Sequence, residues 1–87
     1  MTEEKVVKIG RVTHFFSKIN VAVIELTGAV SVGDRIMFKG PNTDFEQVVD
    51  SMQIEHESIG HADAGQSIGL KVDDRVRETD AVYRKLE

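Results

Sequence analysis

The dominant period along the chain is two. Ala22, Ile24 and Leu26 alternate with Val21, Val23 and Glu25. Ile36 and Phe38 alternate with Arg35, Met37 and Lys39, and Ile68, Leu70 and Val72 with Ser67, Gly69 and Lys71. Successive side chains on a strand point to opposite faces, so such runs, bounded by turn residues, predict half-buried β-strands. Their many β-branched residues agree with this. No stretch carries a long 3.6-residue period, so almost no helix is expected. Six strands are predicted, over residues 5–16, 20–27, 34–40, 45–56, 66–73 and 80–86.

The first of these changes phase. Val7 and Ile9 hold odd positions, whereas Val12, His14 and Phe16 hold even ones, and the switch falls at Gly10. A glycine where the apolar face changes sides predicts a bulge or sharp bend. The connections are short. Ser17-Lys18-Ile19-Asn20 is hairpin-sized, Gly33-Asp34 leads into the third strand, and Gly40-Pro41-Asn42-Thr43 is a turn in which Pro sets φ and Asn tolerates the left-handed region. Many short antiparallel strands must remove their edges, and closure into a small barrel is the usual way.

The chain has 87 residues, which suits one domain over 1–87. Its 40% hydrophobic and 30% charged residues are a globular balance. With no cysteine, disulfides, thiolate metal sites and a Cys nucleophile are excluded, which suits a cytoplasmic protein. The opening MTEEKVVKIG has acids first and no apolar core of a signal peptide. No apolar run approaches the ~20 residues of a membrane span, so no membrane association is expected.

Net charge is −4, which disfavours a generic basic surface for long duplexes. The distribution is uneven. Residues 41–65 contain Asp44, Glu46, Asp50, Glu55, Glu57 and Asp63 but no Lys or Arg, while Lys5, Lys8, Arg11, Lys18, Arg35 and Lys39 fall in 1–40. Solvated strand faces account for most such charges, and one acidic and one mildly basic flank is the sharper reading.

Known reaction signatures are missing. Asp63-Ala64-Gly65-Gln66-Ser67-Ile68-Gly69-Leu70 has two glycines four apart, but an alternating strand follows and no Gly-Lys-Ser/Thr occurs, so no nucleotide is expected. Gly65 reads as a turn, and Gly69 as room for a neighbouring backbone. His56 and His61 lie near Glu55, Glu57 and Asp63, but converging ligands are not evident, so no metal is expected. The serines at 17, 31, 51, 58 and 67 sit in no nucleophile motif, so the expectation is a non-enzymatic protein without cofactors. The richest surface candidate mixes cations and rings: Lys8, Arg11, His14, Phe15, Phe16 and Lys18. Cations neutralise phosphates and exposed rings stack on bases. Phe15 and Phe16 cannot both face the core of a regular strand, and an exposed one could instead mark a protein interface.

Several segments together resemble the β-barrel second domain of translational GTPases, as in elongation factor Tu and initiation-factor relatives. These are Gly10-Arg11-Val12, Val21-Ala22-Val23-Ile24-Glu25-Leu26, Gly28-Ala29-Val30-Ser31-Val32-Gly33-Asp34-Arg35-Ile36, Val49-Asp50-Ser51-Met52-Gln53, and Ala62-Asp63-Ala64-Gly65-Gln66-Ser67-Ile68-Gly69-Leu70. The resemblance implies an all-β fold, a small closed six-stranded antiparallel barrel, with structural glycines at Gly10, Gly33, Gly65 and Gly69. It is similar to free-standing elongation-factor-like proteins without a GTPase domain. A similar barrel is also appended to collagenase-like peptidases. The resemblance implies contact with RNA, tRNA or ribosomal RNA, through Lys8, Arg11, His14, Lys18 and Gln53. The alternative is a protein–protein adaptor or accessory subunit of a larger enzyme, such as a collagenase-like peptidase or an RNA-modifying enzyme, docking through Phe15, Phe16 and Met37.

Overall fold

Two bulges in the first strand decide which side chains face the core. The computed structural model describes residues 5–86, and strand β1 (Val6–Phe16) lies between β2 (Val21–Leu26) and β10 (Ala81–Lys85). Its register against β10 slips between Lys8 and Gly10, at the predicted glycine. Ile9 and Val12 both enter the core as a result. A second slip, against β2, falls between Val12 and His14. It resets the alternation, so His14 and Phe16 point outward while Phe15 packs on the core. Of the three even positions expected on one apolar face, only Val12 is buried, because the bulge at Thr13 was not legible.

The remaining strands are β3 (Val30–Ser31), β4 (Arg35–Gly40), β5 (Thr43–Val48), β6 (Met52–Ile54), β7 (Glu57–Ile59), β8 (His61–Ala62) and β9 (Ser67–Lys71). Every pairing among them is antiparallel. Eight strands form one sheet in the order β5-β4-β10-β1-β2-β9-β6-β7, and β3 pairs with β8 separately. The chain is all-β, with no helix among the described residues.

The expected closed six-stranded barrel does not form. The end strands β5 and β7 each have one ladder partner. The cause is the segment predicted as one strand over 45–56, which breaks at Val49-Asp50-Ser51. There Val49 N–H donates to Asp34 O at 2.9 Å and Val49 O accepts from Gly33 N–H at 2.9 Å. β5 stays beside β4, while β6 crosses to β9 and forms a hairpin with β7. The continuous strand that would complete a ladder is therefore absent. A side chain spans the gap instead: Gln47 Nε2 donates to Lys71 O at 3.0 Å, and its Oε1 accepts from Asp73 N–H at 2.8 Å. Gln47 is buried, and both halves of its amide are used.

One core lies inside the curled sheet, with Ile9, Ile24, Leu26, Ile36, Phe38, Met52, Ile68 and Leu70 almost fully buried. Phe45 stacks on Phe38 with centroids 5.0 Å apart. Gly10 makes the closest backbone approach: a Cβ there would lie 2.6 Å from Glu25 O and 2.9 Å from Ile24 Cγ2. The turn glycines behave as predicted, with φ of +98° at Gly33 and +93° at Gly65.

Candidate functional site

The register defines an outward face over β1, β2, β9 and β6. One row runs His14, Val23, Gly69, Gln53 and Ser58, and the next runs Phe16, Val21 and Lys71. Gly69 interrupts the first row with no side chain. The gap is the floor of a groove of 380 Å³, lined by Phe16, Ile19, Val21, Val23, Gly69, Gln53, Glu55 and His56. A Cβ at Gly69 would touch Val21 Cγ1 at 3.4 Å and Gln53 Cγ at 3.8 Å, so the glycine opens space toward solvent. The Gln53 backbone O also lies 3.8 Å from that position, so a neighbouring backbone and two side chains all approach Gly69.

Two hairpin turns wall the groove. The first, after β1, carries Ile19, which is 60% exposed beside Phe16 at 46%. Large apolar groups left in water at adjacent positions mark a contact surface. His14 backs Phe16, with ring centroids 4.4 Å apart, and its Nδ1 lies 3.5 Å from Glu78 Oε2. The second turn joins β6 to β7 through Glu55 (φ 51°) and His56 (φ 69°). Positive φ at both central residues is the signature of a type I′ turn, which favours Asn-Gly. Two non-glycine residues there cost on the order of 1 kcal/mol each. The Gln53 side-chain amide makes no hydrogen bond among the described residues and is exposed at the rim.

The residues expected to contact RNA are not gathered in one place. Lys8 and Lys18 stand at opposite ends of β1, and residues 8 to 16 alone span roughly 26 Å at about 3.3 Å per residue. Arg11 pairs with Glu25 at 3.3 Å. Elsewhere Arg35 reaches Glu46 at 3.0 Å, Lys85 reaches it at 3.1 Å, and Lys39 reaches Asp44 at 2.6 Å. Three of the six cations of the basic flank, Arg11, Arg35 and Lys39, are thus paired with acids of the neighbouring strand. Arg35 first, and Lys85 second, hold the Glu46 carboxyl below its ordinary range. Gln53 lies with Phe16 and not with Lys8. Phe15 is turned onto the core. Met37 lies two strands from β1, in the row Lys8, Tyr83, Met37 and Glu46, apart from Phe16.

The fold also builds a cluster that the sequence did not signal. Pairing of β3 with β8 sets Ser31 opposite His61. Asp63 Oδ1 lies 2.8 Å from His61 Nε2, and Ser31 Oγ lies 2.7 Å from Nδ1. With Nε2–H donating to Asp63, Nδ1 is left to accept from the Ser31 hydroxyl. This has the order of a serine-nucleophile relay. Acyl transfer also needs unengaged N–H groups for the oxyanion. The N–H groups of Ser31, Val32, Gly33 and Asp34 all donate within the fold. The cluster acts as a latch between β3 and β8. Two-residue strands have no legible period, so their pairing was not foreseen. No group of three metal-ligating side chains is present among the described residues, and no helix is long and apolar enough to cross a membrane.

Two crystal structures of the C-terminal domain of a Geobacillus thermoleovorans protein assigned to the U32 peptidases superpose on this chain with TM-scores of 0.83. Identity is 20% and 22%, over 87% and 91% of this chain and 96% and 91% of the other. At that identity the likeness is one of fold. In sequence, the chain is 44% identical over 78 residues to an uncharacterized protease of Methanocaldococcus jannaschii, covering 88% of this chain and 19% of that protein. It is 33% identical over 78 residues to a collagenase of Porphyromonas gingivalis, covering 87% and 22%. The chain spans about a fifth of the length of these curated relatives. No family model matches it.

These comparisons overturn three expectations. The chain's relatives are peptidase and collagenase proteins, and its fold is that of a U32 C-terminal domain, so the assignment to the translation-factor barrel is corrected. RNA binding, which rested on that assignment, loses its support. The expectation of a non-enzymatic protein is also corrected, because the relatives bear the names of proteases and collagenases, of which this chain matches about a fifth.

Proposed function

We propose that the chain is the accessory β-domain of a collagenase-like U32 peptidase, and that it engages a larger protein through the face carrying Phe16. The alignment over 78 residues to an enzyme about five times longer carries this reading. A segment that is a fifth of a peptidase and has an exposed apolar groove is suited to positioning protein near a catalytic part. The acidic residues 41–65 and the ladder-paired cations favour a protein partner over a polyphosphate.

The test uses the catalytic part of a collagenase-like peptidase, such as that of the Methanocaldococcus jannaschii relative without its matching segment, with this chain supplied either joined or added. Gelatin degradation and binding between the two are measured, with nuclease present. A rise of at least tenfold in kcat/KM, or a nuclease-resistant complex, is expected. Unchanged degradation together with no complex at micromolar concentrations overturns the proposal.

A further inference from the structure

The groove over Gly69 has the features of a peptide site. Its floor is apolar, from Val21 and Val23, and the missing side chain at Gly69 leaves depth for one inserted group. Phe16 and Ile19 form an apolar wall already exposed to water. The free Gln53 amide offers a donor and an acceptor of the kind a peptide backbone needs. Charge is divided across the opening. Glu55 lines one side, while Lys18 adjoins Ile19 in the opposite turn and Lys71 lies beside Val21. Lys18 and Lys71 have no ion pair among the described residues, and neither does Glu55. His56, the remaining titratable group of the lining, stands beside Glu55. The turn that presents Glu55 and His56 holds two non-glycine residues at positive φ, a cost that Asn-Gly would remove. Strain retained at a groove wall points to a role for those side chains.

We infer that this groove binds an extended peptide, with an apolar side chain seated over Gly69, a basic residue on the Glu55 side and an acidic residue on the Lys18 and Lys71 side. The inference rests on the proposed accessory role, and it names the ligand chemistry. Opposite charges at the two ends fix the direction of the peptide as well as its affinity. The apolar residue supplies most of the binding, as central anchors generally do.

The test titrates the ¹⁵N-labelled 87-residue chain with capped peptides of sequence Arg-Gly-Phe-Gly-Glu, Arg-Gly-Ala-Gly-Glu, Glu-Gly-Phe-Gly-Glu and Arg-Gly-Phe-Gly-Arg. The first is expected to give saturable shifts at the Val21, Val23, Gln53 and Gly69 amides. The other three should bind at least fivefold more weakly. Phe16→Ala should weaken the first peptide about tenfold, and Glu55→Lys should abolish the preference for it over Glu-Gly-Phe-Gly-Glu. Unchanged melting of both variants separates lost contact from lost fold. No shift at millimolar peptide, equal binding of all four, or shifts elsewhere overturns the inference. So does a dimer by sedimentation that Phe16→Ala dissolves, because a second copy then fills the groove. Should the chain join its catalytic partner yet ignore every peptide, this inference fails and the accessory role stands.

Discussion

Gly10 and Gly69 are both strand glycines, yet the structure assigns them opposite tolerance to a methyl group. A Cβ at Gly10 would stand 2.6 Å from Glu25 O, about 0.8 Å inside the 3.4 Å at which ordinary contact begins, and 2.9 Å from Ile24 Cγ2. Glu25 belongs to β2, which is paired on both sides, to β1 and β9, so its carbonyl cannot retreat without disturbing both ladders. Overpacking of this kind costs about 1–3 kcal/mol, and a backbone obstacle places Gly10→Ala near the top, about 3 kcal/mol. At about 4–8 °C per kcal/mol for a domain of this size, the melting temperature should fall by roughly 12–24 °C. At Gly69 the same methyl meets Val21 Cγ1 at 3.4 Å, in ordinary contact and facing the groove. Gly69→Ala should stay within about 0.5 kcal/mol of the parent. Thermal and urea unfolding followed by far-ultraviolet circular dichroism measures both. A Gly10→Ala protein melting within 4 °C of the parent would refute the reasoning, as would a Gly69→Ala protein falling equally far.

Replacing Gln47 by Ala should cost about 2–3 kcal/mol, because Lys71 O and Asp73 N–H lose the buried amide that replaces a ladder, and urea unfolding reads the loss. The double change Glu55→Asn with His56→Gly should raise stability by about 1–2 kcal/mol by relieving two positive-φ positions, seen as a melting temperature higher by roughly 4–16 °C, while weakening the mixed-charge peptide. Glu46 carries a lowered pKa, so its contribution is present above the ordinary glutamate range and is lost as pH falls through the depressed value. The difference in melting temperature between the parent and Glu46→Gln should therefore be small and constant from neutral pH down to the ordinary carboxylate range, and should close only in more acidic solution.

The strands with a clear period of two were legible. Residues 21–26, 35–40 and 67–71 form as read because one face of each is buried and the other is wet. The bulge at Gly10 was legible because glycine stood where the apolar phase changed. The bulge at Thr13 was not, because threonine suits a regular strand as well as a bulged one. That single slip sent Phe15 inward and left Phe16 exposed. The break at Val49-Asp50-Ser51 was also hidden. Val49 is buried as a strand residue would be, but its backbone bonds go to Gly33 and Asp34, long-range partners that no local pattern reports. The open sheet and the hairpin of β6 with β7 both follow from it. In the candidate site, Gln53 and Phe16 were singled out separately and proved to be neighbours. Lys8 and Arg11 were grouped with His14 and Lys18, and Met37 with Phe15 and Phe16, and the register places Lys8 and Met37 in a row of their own away from Phe16.

The groove gathers three departures from local rules at one place. An aromatic ring lies outward at Phe16, a glycine interrupts a strand interior at Gly69, and a type I′ hairpin is built from Glu55 and His56 instead of Asn-Gly. Each is mildly unfavourable alone: exposed apolar surface, a weakened strand, and positive φ at side-chain-bearing residues. Sequences that fold well are locally consistent, and departures from consistency concentrate where a surface has work to do. Away from the groove the sheet carries cross-strand ion pairs at Arg11–Glu25, Arg35–Glu46 and Lys39–Asp44 and a buried, hydrogen-bonded amide at Gln47, with scattered departures at Gly10, at Thr79 (φ 76°) and at the exposed Val6, Val7 and Val48. The coincidence of three departures at the groove, beside an unengaged Gln53 and divided charge, is the observation on which the proposed docking of this face against another chain rests.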